Sequence, residues 1–266
     1  MTTLSSNLEW QRCFGGVARL YTDEGARNLE KSAVAIVGVG GVGSWASEAL
    51  VRTAIGKIYL IDLDNVALSN TNRQIQAMQG QYGKAKIQAL AERFALVNPR
   101  CEVVQIEEMI DEDNVDLLLP PNTLVLDCID QVRAKAAIVA CCVRRKQTVI
   151  TSGAAGGRRD PFRIQCGDLG RITGDPLLSK VRYQLRKNYG FPKAGTSKKG
   201  EKFGVLSVFS DEPVVRSQSV CEVQTMEGLS CAGYGSTVAV TAPMGMMMAS
   251  LALNTLANAC ESHKKL

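Results

Sequence analysis

The chain alternates short apolar runs with longer segments whose apolar residues recur at helical spacing. The apolar runs occupy residues 33–37, 57–61, 101–106, 124–127 and 148–151. Runs of this kind, ended by glycine or an acid, are typical of buried parallel strands. Helical periodicity follows residue 43 and recurs over residues 86–97 and 132–145. The alternation predicts an α/β fold with a Rossmann-like open sheet, mostly parallel and flanked by helices.

The pattern changes after Arg158. Residues 162–166 alternate polar with apolar, which predicts an antiparallel strand. Asp175-Pro176 begins an amphipathic helix, and residues 205–209 form another short apolar run. The sheet is therefore expected to gain antiparallel strands in its C-terminal part.

Residues 228–260 carry no charged side chain, and residues 237–259 predict an apolar helix. By length alone this helix could span a membrane, and basic residues 263–265 would suit an inside anchor. Thr237, Thr241 and Pro243 interrupt the apolar character. We therefore favour a helix buried against the sheet and a dimer partner over membrane association.

Composition narrows the class of protein. The 266 residues are 45% hydrophobic and 21% charged, as in a soluble globular enzyme. The net charge of +5 suits an anionic ligand or RNA without proving either. Nine cysteines without a secretory signal predict free thiols in the reducing cytoplasm. They form no paired C-x-x-C motifs, which argues against zinc.

A glycine motif follows the first predicted strand. Gly38, Gly40 and Gly43 form G-x-G-x-x-G, with Gly41 as an additional glycine. Such a loop lets the backbone approach a phosphate at a helix N-terminus, and an acid about 20 residues on can hold a ribose hydroxyl. Asp62 stands at that distance, so nucleotide binding is favoured over a turn that only packs a helix on a strand.

The residues after Asp62 argue against a dehydrogenase. Asp64, Asn70 and Arg73 follow, and Lys86 begins the next helix. A dehydrogenase has no need of these cations at the phosphates. A triphosphate does, because its charge must be neutralised before a carboxylate can attack the α-phosphorus.

Two acids end the strand at residues 124–127. Asp127 and Asp130 lie at the carboxyl end of a strand, where an open α/β sheet binds its ligand. Mg²⁺ uses few protein carboxylates and keeps several waters. One of these acids is therefore a candidate magnesium ligand.

Together these motifs resemble the ThiF/MoeB/HesA superfamily of adenylating enzymes, in the family's order over residues 15–155. The resemblance implies that Asp62 holds the ribose, that Arg73 and Lys86 hold the phosphates, and that Asp130 binds Mg²⁺. It makes Arg73, Lys86 and Asp130 the catalytic candidates. The implied ATP-binding set is Gly38, Gly40, Gly41, Gly43, Asp62, Asp64, Asn70, Arg73, Lys86 and Asp130.

Three further stretches are similar to the bacterial tRNA threonylcarbamoyladenosine dehydratases: residues 12–21, 40–45 and 70–75, together with a basic segment. This resemblance implies ATP-dependent cyclisation of threonylcarbamoyladenosine next to the anticodon. It also implies a homodimer, a cysteine desulfurase and its sulfur-acceptor protein as partners, and possible binding of Na⁺ or K⁺. Arg12 or Arg19 could reach the nucleotide of the partner subunit.

Basic residues concentrate between residues 182 and 202. Residues 190–203 are rich in glycine and lysine, which predicts a mobile segment able to contact phosphates of a polyanion. A merely solubilising loop is the alternative. The candidate tRNA contacts are Arg182, Arg186, Lys187, Lys198, Lys199 and Lys202.

We divide the chain into an N-terminal helical arm (1–32), a Rossmann-like ATP-binding region (33–157) and a substrate and dimerisation region (158–266) within one integrated domain. Cys231 lies in a glycine-rich loop and could accept sulfur or an acyl group. A small buried residue is the other interpretation of Cys231.

Two other functions remain open from the residues. One is an activating enzyme for a ubiquitin-like sulfur-carrier protein, against which the unpaired cysteines and the basic segment count. The other is a nucleotide-sensing adaptor, which would bind ATP without adenylating any carboxylate.

Overall fold

A seven-stranded sheet forms the centre of the molecule. The computed structural model describes residues 7–193, 201–215 and 234–258. The strands are β1 Ala33–Val37, β2 Lys57–Ile61, β3 Glu102–Ile106, β4 Leu124–Asp127, β5 Val149–Ser152, β6 Ile164–Asp168 and β7 Leu206–Ser210.

The strand order is β3-β2-β1-β4-β5-β7-β6. All neighbours run parallel except β6, which pairs antiparallel with β7 at one edge. The first five strands thus have the order of a doubly wound nucleotide-binding sheet. The predicted fold class is confirmed, and β6 supplies the antiparallel pairing.

Helices cover both faces of the sheet. They are α1 Asn7–Lys31, α2 Gly43–Val51, α3 Lys86–Val97, α4 Val115–Leu118, α5 Val132–Arg144, α6 Pro176–Asn188 and α7 Val238–Ala257. Because successive strand residues point to opposite faces, Ile36 packs into a core with α2, α3 and α7, and Val37 packs into a second core with α5 and α6.

One predicted strand begins later than its pattern indicated. Residues Pro161–Arg163 form a 3-10 turn, and β6 starts at Ile164. The Asp160 side chain accepts a hydrogen bond from the Phe162 N–H, so this turn is capped locally. Phe162 is 95% exposed as a result. The local cap at Asp160 prevails over the alternating pattern.

Helix α7 is long and apolar enough to span a membrane by length and composition. In this fold, however, Met244, Met248 and Ala252 are buried in the core that contains α2. Gly245 allows close contact, since a Cβ there would lie 2.5 Å from the Val42 carbonyl oxygen. One face of α7 thus packs against the core, whereas the predicted contact of this helix with a dimer partner stays a prediction.

Candidate functional site

A cavity of about 390 Å³ opens at the carboxyl ends of β1, β2, β4 and β5. Its walls contain nine of the ten residues predicted to bind nucleotide: Gly38, Gly40, Gly41, Asp62, Asp64, Asn70, Arg73, Lys86 and Asp130. The tenth, Gly43, begins α2 directly behind the loop. Residues far apart in the chain therefore converge on one site.

The glycine loop depends on missing side chains. Gly38 has φ +84°, which favours glycine, and a Cβ there would lie 2.8 Å from Ile129 Cγ2. A Cβ on Gly43 would overlap the Gly38 carbonyl oxygen. No side chain caps the first turn of α2, whose N-cap residue is Val42. This end of α2 thus offers N–H groups and a partial positive charge to an anion.

Asp62 is fixed beside the glycine loop by two backbone donors. Its Oδ2 accepts the Val39 N–H at 2.7 Å, and its Oδ1 accepts the Asp64 N–H at 2.9 Å. Burial raises the pKa of Asp62, while Lys86 and the two N–H donors counteract part of that effect. Its position at the end of β2 suits a hydroxyl donor such as ribose.

Lys86 is held inside the cavity by acids. Its Nζ lies 2.6 Å from Asp64 Oδ2 and 3.9 Å from Asp62 Oδ1. The Lys86 side chain is 7% exposed, whereas that of Asp64 is 73% exposed. A phosphate entering the cavity could therefore take over this buried ammonium from a solvent-exposed carboxylate.

Arg73 is oriented by its own loop. Its Nη1 donates to the Ser69 carbonyl at 2.7 Å and to Asn72 Oδ1 at 2.9 Å. The indole N–H of Trp45 holds the Arg73 carbonyl at 2.9 Å. A Cβ on Gly41 would lie 3.1 Å from Thr241 Cγ2, so the additional glycine makes room for the threonine that contacts the Arg73 carbonyl.

The two acids after β4 have different environments. Asp127 is fully buried and ion-paired with Lys135 at 2.9 Å. Burial raises its pKa, against the effect of Lys135 and a hydrogen bond from Thr151. Asp130 lines the cavity, and within residues 7–193, 201–215 and 234–258 its carboxylate accepts no hydrogen bond and joins no ion pair. Asp130 is thus the acid available to a ligand.

A free carboxylate at the cavity wall fits Mg²⁺ carried by phosphates, because Mg²⁺ needs only one or two protein carboxylates. The described part of the chain contains no group of three or more His, Cys, Asp or Glu residues arranged to hold a metal. A metal bound here would therefore take its other ligands from phosphate and water.

Part of the cavity wall could not be found from motifs. Tyr234 and Ser236 precede α7, and Thr241 lies in its first turn. The Thr241 hydroxyl donates to the Arg73 carbonyl at 3.4 Å, and the Val238 N–H donates to the Asn72 carbonyl at 3.0 Å. The small-residue turn after β5 also lies in the wall, at residues 152–156.

Another missed feature lies behind that turn. Asp175 caps α6 by accepting the Leu178 N–H at 2.8 Å, and its other oxygen accepts the Ala154 N–H at 3.0 Å. Arg158 Nη2 lies 3.8 Å from the same carboxylate, with both side chains fully buried. The start of α6 is thereby attached to the cavity wall. The Asp-Pro pair indicated the helix start but not this contact.

Some of the cysteines and lysines considered for function lie outside the described residues. Cys128 packs against α7 at the cavity wall, since its Sγ lies 3.8 Å from Met248 Sδ, and burial raises its pKa to about 12. Cys231, Lys198 and Lys199 lie outside the described residues. So does part of the predicted mobile segment 190–203.

The described basic candidates lie away from the cavity wall. Arg186 stacks 5.3 Å from the Phe203 ring centroid, and its Nε donates to the Pro192 carbonyl. Arg182 is half-buried, and burial and Arg186 lower its pKa. Lys187 and Lys202 are exposed. The wall, as far as the described residues define it, contains neither Arg12 nor Arg19.

Comparisons with known proteins place this site in a family context. The model of the ThiF family matches residues 16–266. The tRNA threonylcarbamoyladenosine dehydratase of Escherichia coli K12 is 43% identical over 256 residues, covering 93% of this chain and 94% of that protein. The molybdopterin-synthase adenylyltransferase of the same organism is 31% identical over 173 residues, covering 62% of this chain and 69% of that protein.

The solved structures agree with the sequence comparison. A structure of E. coli tRNA N6-threonylcarbamoyladenosine dehydratase in complex with ATP superposes with a TM-score of 0.84 at 38% identity. It covers 99% of this chain and 100% of that one. The likeness thus extends over the glycine loop, the cavity and the C-terminal helix alike.

Proposed function

The chain belongs to the ThiF family, and on that premise we propose that it is an ATP-dependent tRNA threonylcarbamoyladenosine dehydratase. The observation that carries the proposal is one cavity that combines the start of α2, which no side chain caps, with the fixed Asp62, the buried Lys86 and Asp130, whose carboxylate has no partner among the described residues. These groups fit a nucleoside triphosphate. The full-length likeness to enzymes of that name indicates the substrate.

The reaction activates a carboxylate and then closes a ring. The threonyl carboxylate of the modified adenosine attacks the α-phosphorus of ATP, forming an acyl adenylate and releasing pyrophosphate. The ureido group of the same side chain then attacks the acyl carbon, and AMP leaves. The nucleoside loses one water in total, and no external nucleophile is consumed.

The residues of the cavity position and neutralise the triphosphate. Asp62 holds the ribose, and the glycine loop and the start of α2 receive the phosphates. Lys86 exchanges its contact with Asp64 for a phosphate oxygen, and Arg73 adds a second positive charge at the loop. Asn70 and Asp64 complete the nucleotide contacts. Bound Mg²⁺ would be held by Asp130 and would neutralise charge on the phosphates.

The tRNA would contact the basic residues that extend from the cavity along α6. Asp175 attaches the start of α6 to the cavity wall, and Lys187 is exposed near its end. A phosphate backbone lying along the helix could therefore place a nucleoside in the cavity. Lys198 and Lys199, which lie outside the described residues, and the exposed Lys202 are further candidate contacts by sequence. Arg182 and Arg186 would contribute from half-buried positions.

The wider assignment follows from family resemblance. We propose a cytoplasmic homodimer that works with a cysteine desulfurase and its sulfur-acceptor protein, and in which Arg12 or Arg19 reaches the nucleotide of the partner subunit. Binding of Na⁺ or K⁺ belongs to the same set of expectations. Residues 158–266 would supply the substrate and dimer contacts.

Activation of a sulfur-carrier protein is the second candidate function. It is favoured only by the molybdopterin-synthase adenylyltransferase likeness, which covers less of the chain at lower identity. That function would show as ATP–pyrophosphate exchange dependent on a small protein ending in Gly-Gly.

The deciding experiment is mass spectrometry of tRNA nucleosides after incubation with the purified protein, ATP and Mg²⁺. The tRNA should carry linear threonylcarbamoyladenosine, and the expected result is an ATP-dependent loss of 18 Da, the mass of one water. Asp130→Ala is the matched negative control and should retain the fold. An unchanged nucleoside mass with the wild-type protein would contradict the proposal.

A further inference from the structure

Asp130 lies in a short loop that needs support from outside itself. The loop spans residues 128–131, between the end of β4 at Asp127 and the start of α5 at Val132. Among the described residues nothing bonds the Asp130 carboxylate. Its position therefore depends on how the two ends of the loop are fixed.

Lys135 joins those two ends. From α5 its Nζ reaches back to Asp127, lying 2.9 Å from Oδ2 and 3.2 Å from the backbone carbonyl oxygen. The same Nζ donates to Thr151 Oγ1 at 3.0 Å, and the Thr151 hydroxyl donates to Asp127 Oδ2 at 2.6 Å. Three neighbouring elements, β4, β5 and α5, thus meet at one ammonium group.

The other side of the loop is packed against the glycine motif. The Cys128 N–H donates to the Val37 carbonyl at 2.8 Å. A Cβ on Gly38 would lie 3.2 Å from the Ile129 nitrogen, so the loop backbone runs against that glycine. The loop is held between Gly38 and a clamp formed by Lys135, Asp127 and Thr151. All four loop residues line the cavity, and Asp130 is the one that carries a carboxylate.

A buried ion pair such as that in the clamp contributes little net stability to a fold. The Asp127 and Lys135 side chains are both 0% exposed. Burying two charges costs several kcal/mol per ion, and apolar residues of similar volume are often as stabilising or more so. An ion pair whose lysine also donates to the backbone carbonyl of Asp127 fixes the direction in which the chain leaves β4. An apolar pair makes no such directional contact.

We propose that Lys135, with Asp127 and Thr151, is a positioning residue that sets the place of the Asp130 carboxylate for the metal–nucleotide complex. This inference rests on the proposed function. Lys135 touches neither the cavity nor the reacting atoms and acts only through the loop. Supporting residues of this kind typically change metal affinity or activity by 10–100-fold when altered.

The test is a titration of the protein and a non-hydrolysable ATP analogue with Mn²⁺, in which electron paramagnetic resonance measures the free Mn²⁺. Lys135→Met leaves Asp127 buried without a counter-charge and risks unfolding. The double variant Asp127→Asn/Lys135→Met removes both charges, and Thr151→Val removes only the bridging hydroxyl. We expect Mn²⁺ binding to weaken about tenfold or more in the double variant and about two- to fivefold in Thr151→Val. Affinity for the ATP analogue in EDTA should change less than Mn²⁺ affinity does, since without a metal the Asp130 carboxylate has no part in holding the phosphates.

Arg93→Met is the control, because Arg93 forms an ion pair with the buried Glu48 at 2.8 Å, away from the cavity wall. It should lower the unfolding temperature without changing Mn²⁺ affinity. Wild-type Mn²⁺ affinity in folded Thr151→Val and in the double variant would overturn the inference. Failure of the wild-type protein itself to bind Mn²⁺ with the analogue would instead overturn the proposed function.

Discussion

Lys86 Nζ contacts the exposed Asp64 at 2.6 Å while its own side chain is 7% exposed. Of the two carboxylates near this buried ammonium, the closer one is therefore exposed to water, where a ligand phosphate can replace it. Lys86→Met should lower kcat/KM for ATP by about 10²–10³-fold, because the variant lacks one preorganised charge at the phosphates.

Lys84→Met is the matched control for Lys86. Lys84 belongs to the same short segment but pairs with Glu92 on the surface at 2.6 Å. We expect its kinetics to stay within about twofold of the wild type, since exposed pairs contribute little. Equal effects of the two substitutions would mean that Lys86 has no special role at the phosphates.

Substitution of two glycines in the loop should affect different properties of the protein: Gly43 its stability and Gly40 its affinity for ATP. Gly43→Ala places a methyl group against the Gly38 carbonyl and should lower the free energy of unfolding by about 2 kcal/mol or more. Gly40 has nothing closer than 3.8 Å to an added Cβ, so Gly40→Ala should fold normally yet reduce ATP affinity by narrowing the cavity. Thermal unfolding and calorimetric ATP titration of both variants test this. A destabilised Gly40→Ala with normal ATP affinity would contradict it.

Replacement of Lys187, Lys198, Lys199 and Lys202 by alanine should weaken tRNA binding. The plot of log K against log salt has a negative slope. That slope should become less negative by about 0.7–0.9 for each phosphate that the variant no longer neutralises. ATP affinity should not change. Lys57, which pairs with Glu102 at the amino-terminal edge of the sheet, supplies the control substitution Lys57→Ala. An unchanged salt slope in the multiple variant would make the basic stretch a linker.

Thiol reactivity should follow burial. Cys13 and Cys166 are exposed, whereas burial raises the pKa of Cys101, Cys128 and Cys142 to about 12. At pH 8 a thiol with a pKa of about 12 is ionised on the order of one part in 10⁴. Iodoacetamide should therefore label the first pair in the native protein and spare the other three. Peptide mass mapping identifies which cysteines carry the label. Rapid labelling of Cys128 would disprove its assignment as a packing residue.

Cys231 needs its own variant. Cyclisation requires no external nucleophile, so Cys231→Ser should retain tRNA dehydration in the nucleoside assay. Complete loss of activity in a folded variant would instead give Cys231 a part in the chemistry.

Glu48 should make the fold acid-sensitive. Burial raises its pKa, but Arg93 and Arg52 outweigh that effect and hold the pKa below its ordinary value of 4.5. A lowered folded-state pKa means that the unfolded chain binds the proton first. The stabilisation is therefore complete above pH 4.5 and disappears as the pH falls through the folded pKa.

The corresponding variant is Glu48→Gln. Hydrogen bonds to charged groups contribute about 1.5–3 kcal/mol, so the variant should be less stable by an amount in that range at neutral pH. The difference should narrow below pH 4.5 in urea unfolding experiments. A difference that is constant down to pH 3 would exclude this linkage.

The sequence was informative where function depends on local spacing. The glycine loop, Asp62 and Asp130 each follow a buried strand directly, and the carboxyl ends of parallel strands meet at one edge of a sheet. The positive charges of Arg73 and Lys86 indicated a triphosphate, and the family resemblance implied that they hold its phosphates. All of them lie together at the cavity.

The rest depends on tertiary packing, which local patterns do not encode. Lys135 sits in an apolar helix pattern and resembles an ordinary surface lysine, yet it is fully buried because Asp127 and Thr151 lie beneath it. Tyr234 reaches the cavity beside the turn after β5, where the Gly157 N–H donates to the Gly235 carbonyl at 2.7 Å. Phe162 is exposed because the Asp160 cap prevails over the strand pattern.

The contact between Thr241 and Arg73 also bears on how the protein is made. The two residues are 168 positions apart, and a ribosome adding 5–20 residues per second takes roughly 10–30 s to cover that separation. During this interval the glycine loop and Arg73 exist without the wall that α7 supplies. A nascent chain therefore holds a nucleotide site that lacks part of its wall until synthesis has passed Thr241.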